Sequence, residues 1–94
     1  MAEIIISESA WEDLDGIADY IAKDSPRYAV EFTERLLEAT LQIITHPESG
    51  RRVPEFASPV IRELIFGNYR IIYGIENPEY PVVLRFIHAA RLFP

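Results

Sequence analysis

Four arginines and a histidine in the second half of the chain, Arg62, Arg70, Arg85, His88 and Arg91, are the residues best suited to chemistry. They fall on three stretches that read as neighbouring strands and on the segment just after them, so one surface could gather them. A planar guanidinium binds phosphate or carboxylate through two parallel bonds, and an imidazole changes charge near neutral pH. The chemistry suggested is recognition of a phosphate-bearing target. Each residue also has a structural alternative. Arg70 lies between apolar neighbours, where a charge is costly unless it is paired or placed on a working surface. Arg62 can pair with Glu63 or another acid, and His88 can be a hydrogen-bonded histidine at a strand end. Arg51 and Arg52 read as loop charges that add to the local field.

Other chemistries leave no signature. Gly-rich phosphate loops, nucleophile elbows and metal-ligand clusters are absent, and His46 and His88 are the only histidines. The chain has no cysteine, which excludes disulfides, thiolate metal sites and a cysteine nucleophile. No cofactor or metal is expected. The net charge of −6 argues against a general nucleic-acid binder and against sequence-specific DNA binding. Its distribution is uneven. Residues 1–48 hold eleven acids against Lys23, Arg27 and Arg35, a balance of −8, whereas residues 49–94 hold four acids against six arginines, a balance of +2. No apolar run approaches the roughly 18–20 residues that span a bilayer, and the N-terminus lacks a signal peptide's pattern, so a cytoplasmic protein is expected.

These residues must be positioned by one domain, because 94 residues with 49% hydrophobic content build a single core. Glu3 to Ile6 reads as a strand ended by Ser7. Ser7 or Ser9 can cap a helix to about Lys23, with Trp11, Leu14, Ile17, Ala18 and Ile21 as its buried face. Ser25-Pro26 starts a second helix, whose stripe of Ala29, Phe32, Leu36, Ala39 or Thr40, and Ile43 stops before His46-Pro47. Residues 47–59, with three prolines and a glycine, read as a surface loop. Val60 to Phe66, Tyr69 to Ile75 and Val82 to His88 then form an antiparallel meander, its first turn at Gly67-Asn68. The predicted class is α+β, ordered β-α-α-β-β-β, with an antiparallel helical hairpin on one face of the sheet and the other face open. Alternation places Tyr69, Ile71, Tyr73 and Ile75 toward the helices and Arg70, Ile72 and Gly74 away from them.

The segment Ile61-Arg62-Glu63-Leu64-Ile65-Phe66-Gly67-Asn68-Tyr69-Arg70-Ile71-Ile72-Tyr73 resembles the RelE/ParE toxin superfamily in its arginine-bearing strand, tight turn and Tyr-Arg-aliphatic-aliphatic-Tyr strand. Arg85 to Arg91 is similar to that family's closing His-x-x-Arg segment, and the upstream elements match in order and spacing. The resemblance implies a bacterial type II toxin, neutralised by a ParD- or RelB-like antitoxin and tied to plasmid stabilization and growth inhibition. It implies either of two mechanisms. ParE-like members poison DNA gyrase, and Arg62, Arg70, His88 and Arg91 would then be target contacts. RelE-like members cut mRNA on the ribosome, a reaction that needs a base for the 2′-hydroxyl, an acid for the leaving oxygen and cations for the transition state. In that case His88 would be the base or acid, and Arg62, Arg70 and Arg91 would carry the charge. The lysines and C-terminal tyrosine of the RelE pattern are missing: Lys23 is the only lysine, and the tail reads Arg91-Leu92-Phe93-Pro94. That departure and the net acidity favour the gyrase branch, with a fold-only antitoxin binder as a third possibility. An antitoxin is expected to cover the apolar groove and the arginine-bearing sheet, for which an acidic segment would suit. Alternatively, Glu12, Asp13, Asp15 and Asp19 could meet a basic patch.

Overall fold

Ser7 and Ser25 set the helical layer. In the computed structural model, which describes residues 3–90, Ser7 Oγ accepts the Ala10 N–H at 3.0 Å and starts α1 (Glu8–Ala22). The same hydroxyl donates to the Leu84 carbonyl at 2.9 Å, tying the helix start to the sheet. Ser25 accepts the Tyr28 N–H at the start of α2 (Pro26–Ala39), where Pro26 fills the first helical turn. The predicted second helix is interrupted. Buried Thr40 bonds its hydroxyl back to the Leu37 carbonyl at 2.6 Å, and the chain restarts as the short α3 (Leu41–Thr45). A Thr hydroxyl that competes for a preceding carbonyl is a known cause of such breaks.

The strands are β1 (Ile5–Ile6), β2 (Arg51–Arg52), β3 (Ile61–Phe66), β4 (Tyr69–Gly74) and β5 (Val82–His88). They form one sheet in the order β1-β5-β4-β3-β2, with β1 parallel to β5 and every other pair antiparallel. The β-α-α-β-β-β order and the two helices packed on one face agree with expectation. β2 does not: two residues of the predicted loop pair with β3, Arg51 opposite Glu63 and Arg52 opposite Arg62. Gly67, with φ +57°, makes the two-residue turn between β3 and β4 at no steric penalty.

The main core lies between helices and sheet, where Ala10, Leu14, Ile17 and Leu36 meet Ile71, Tyr73, Val83 and Phe86. Trp11, expected on this face, is 46% exposed. It sits about 100° around the helix from Ala10, at the edge of a stripe centred on Ala10, Leu14 and Ile17. The far face of the sheet is not open either. Val53 folds over it onto Ile72 and Ile87, building a second, smaller core. A bulge reconciles the two cores. Ile72 pairs with Arg85 but Tyr73 pairs with Val83, so Leu84 is the extra residue. Val83 and Phe86, an odd number of positions apart, therefore both face the helices.

Candidate functional site

Among the described residues, the predicted cations are not gathered on one surface. Arg70 points to the far face, where it is 5% exposed. Its Nε donates to Glu63 Oε1 at 2.6 Å, and its Nη1 and Nη2 donate to the two oxygens of Glu55, each at 2.7 Å. The second Glu63 oxygen accepts from Arg51 Nε at 2.6 Å. Arg51, Glu63, Arg70 and Glu55 thus alternate in sign along a row that is buried at Glu63 and Arg70 and exposed at Arg51, and the bonds from Glu55, then those from Glu63, raise the Arg70 pKa despite its burial. Of the two readings of Arg70, pairing is the one realised.

Arg62 lies on the opposite face, because β3 pairs it with Tyr73 and not with Ile72. Its Nε and Nη1 donate to the carbonyls of Pro59 at 2.8 Å and Gly50 at 3.2 Å, so it braces the ends of the 50–59 segment. Arg85 grips Asp13 of α1 through Nε at 2.6 Å and Nη2 at 3.0 Å, and that contact raises its pKa. Asp13 also accepts the Phe86 N–H, which closes a free stretch of the β5 edge. His88 is exposed, packs edge-on against Tyr69 at 5.4 Å and accepts the Ala90 N–H on Nδ1 at 3.1 Å. Arg91 lies outside the described residues.

The concave feature on the helix-facing side is a groove of about 1060 Å³ between α1, the start of α2, the β3–β4 turn and the end of β5. Tyr20, Tyr28, Phe32, Tyr69 and Phe86 supply aromatic lining, and His88 stands at its β5 end. Tyr20 is 69% exposed, an unusual position for a large ring unless something covers it. Among the described residues no cluster of three or more potential ligands could hold a metal ion, no helix is long and apolar enough to cross a membrane, and no buried side-chain nitrogen or oxygen lacks a partner.

Sequence reasoning missed Glu55 as an ion-pair partner, Asp13 as the partner of Arg85, and the groove aromatics Tyr20 and Tyr28. For Glu63 the signal was present: a two-residue turn sets Phe66 opposite Tyr69, which puts residues 63, 65, 70 and 72 on one face.

Residues 4–93 match the family model described as the ParE toxin of the type II toxin–antitoxin system parDE. The chain belongs to the ParE toxin family. A relative named Toxin RelE2, from Caulobacter vibrioides, is 36% identical over 93 residues, spanning 98% of this chain and all of the relative. The fold also matches a solved structure described as the chromosomal ParDE TA system from P. aeruginosa, with a TM-score of 0.77 at 20% identity over 94% of this chain and 96% of that one. This ParE toxin is therefore a type II toxin, and a cognate antitoxin is its partner.

Proposed function

We propose that this ParE toxin arrests growth in the bacterial cytoplasm by acting on DNA gyrase, and that it does not cleave RNA itself. The burial of Arg70 between Glu55 and Glu63 carries the reading. A nuclease of the superfamily would need that cation facing a scissile phosphate, whereas here its guanidinium is already matched by two carboxylates. His88 points the same way. Its Nδ1 accepts the Ala90 N–H, so that nitrogen is engaged within the chain and not offered to a substrate. Arg62 is held by backbone carbonyls, and the net charge of −6 is ill suited to a ribosomal RNA surface. Arg62, Arg70 and, in the tail, Arg91 then act as structural or contact residues.

Ribosome-dependent mRNA cleavage is the second reading, favoured by the name of the Caulobacter relative. The purified toxin separates the two. With gyrase, ATP and plasmid, it is expected to accumulate cleaved plasmid, and His88→Ala should keep potency within a few-fold. Intact plasmid together with mRNA cut on ribosomes, slowed by roughly 10²–10⁴-fold in His88→Ala, would establish the nuclease instead.

A further inference from the structure

β2 is the last strand in the order β1-β5-β4-β3-β2, so one side of its backbone has no strand beside it. The register decides which groups face that side. The Val53 N–H donates to the Ile61 carbonyl, which marks 53–61 as a hydrogen-bonded pair and, two residues back, Arg51–Glu63 as another. Arg52 and Arg62 are then the non-hydrogen-bonded pair between them. Arg52 therefore turns both its N–H and its C=O toward the open edge. Its side chain also stands close beside that of Arg62, because Cα atoms in such pairs are about 4.5 Å apart.

The two neighbours carry the same charge, and like charges directly opposite one another destabilise a sheet. Arg62 is held by the Pro59 and Gly50 carbonyls, and Arg52 is exposed. Among the described residues neither guanidinium forms an ion pair with a carboxylate. Arg51, the adjacent residue, points to the other face and is matched by Glu63. The fold thus neutralises the arginines of the far face and leaves this pair, on the Tyr73 side of the sheet, without an anion.

The occupant follows from the backbone and the charge together. A free donor and a free acceptor on one edge residue match a polypeptide strand, whereas a phosphate would use only the N–H. A second copy joined edge to edge at Arg52 would set that arginine against its own symmetry mate. We propose that β2 receives an extended acidic segment of the target protein as a sixth strand, its backbone bonded to Arg52 and an aspartate or glutamate placed beside the Arg52 and Arg62 guanidiniums. The proposal rests on the reading that this toxin acts on gyrase, and it adds the edge and the chemistry by which the target is gripped.

The test measures the Kd of purified gyrase for the unsubstituted toxin, Arg52→Ala and Arg52→Glu, the Kd of each for the cognate antitoxin, and hydrogen exchange at the Arg52 amide with and without gyrase. Arg52→Ala should weaken gyrase binding several-fold and Arg52→Glu about tenfold or more, and added salt should weaken the unsubstituted complex. Antitoxin affinity should stay within about twofold, which shows that the variants are folded. Exchange at Arg52 should slow about tenfold or more in the gyrase complex, because its N–H gains a partner. If Arg52→Glu bound gyrase as the unsubstituted chain does, or exchange at Arg52 were unchanged, the edge would be excluded while the gyrase reading stood. Loss of antitoxin affinity at unchanged Tm would give the edge to the antitoxin instead. Plasmid binding by the toxin alone, abolished in Arg52→Glu, would reassign it to nucleic acid, and no complex between gyrase and the unsubstituted toxin would overturn the gyrase reading as well.

Discussion

Arg70→Ala is expected to destabilise the fold by roughly 3–5 kcal/mol, the range found when one member of a buried ion pair is removed. The reason is what remains. Glu63 is 1% exposed and Glu55 is largely buried, so deleting the guanidinium removes the cation that lies between these two carboxylates. Against a typical total stability of about 5–15 kcal/mol, that loss removes roughly a fifth of the stability or more, and nearly all of it at the lower end. Replacing the group as a whole, Arg70→Met with Glu63→Leu and Glu55→Gln, should cost far less, because no unpaired charge is buried. Urea unfolding followed by circular dichroism measures both. Equal losses in the single and triple variants would mean that the ion pairs contribute only packing. The functional consequence is direct: loss of toxicity in Arg70→Ala reports unfolding, and the triple variant is the informative control.

Gly50→Ala carries the second large effect. A Cβ at Gly50 would stand 2.4 Å from the Tyr73 hydroxyl and 2.7 Å from the Glu63 carbonyl, one a buried phenol and the other sheet backbone. Neither is a flexible tip that can swing away, so the cost should reach the upper part of the roughly 1–3 kcal/mol seen for overpacked cores. The same close approach lets Gly50 N–H donate to Tyr73 Oη at 2.9 Å while the hydroxyl donates to the Pro47 carbonyl at 2.7 Å. This latch ties the 47–50 turn to the centre of the sheet. Tyr73→Phe should lose about 1–2 kcal/mol by stranding those two groups. It should also relieve part of the Gly50→Ala clash, so the double variant should be less unstable than the two losses added. Burial pushes the Tyr73 pKa above its ordinary 10.0 despite the opposing Gly50 N–H bond. A raised folded pKa means that this contribution is complete below pH 10 and is lost as pH rises through the folded value. Tyr73→Phe should lack that alkaline loss, and strict additivity with an unchanged alkaline limb would remove the latch from the account.

Local signals carried the architecture. Ser7 and Ser25-Pro26 start helices where capping chemistry requires, Gly67-Asn68 fixes the β3–β4 register, and alternation from Tyr69 to Ile75 assigns both faces of β4 correctly. What escaped depends on contacts remote in sequence. β2 exists because Arg51 and Arg52 find an open edge on β3, the Leu84 bulge because Val83 and Phe86 both belong in the main core, and the break at Thr40 because its hydroxyl turns back to Leu37. The site was legible as a set of cations but not as pairs. Arg85 and Asp13 are 72 residues apart, and Glu55 reaches Arg70 only because Val53 turns the preceding segment onto the far face. An arginine's partner is a tertiary property, and here the partners separate a surface that could bind phosphate from one that is already neutralised.

Induced expression of the unsubstituted chain in a bacterial host lacking its antitoxin tests the central claim most directly, with chromosomal DNA breaks and transcript integrity scored in the same culture. A gyrase-directed ParE toxin should arrest growth with broken DNA, filamentation and full-length mRNA. Arrest with intact DNA and transcripts cut at ribosomes would contradict the account, and unimpeded growth with folded toxin present would contradict toxicity itself.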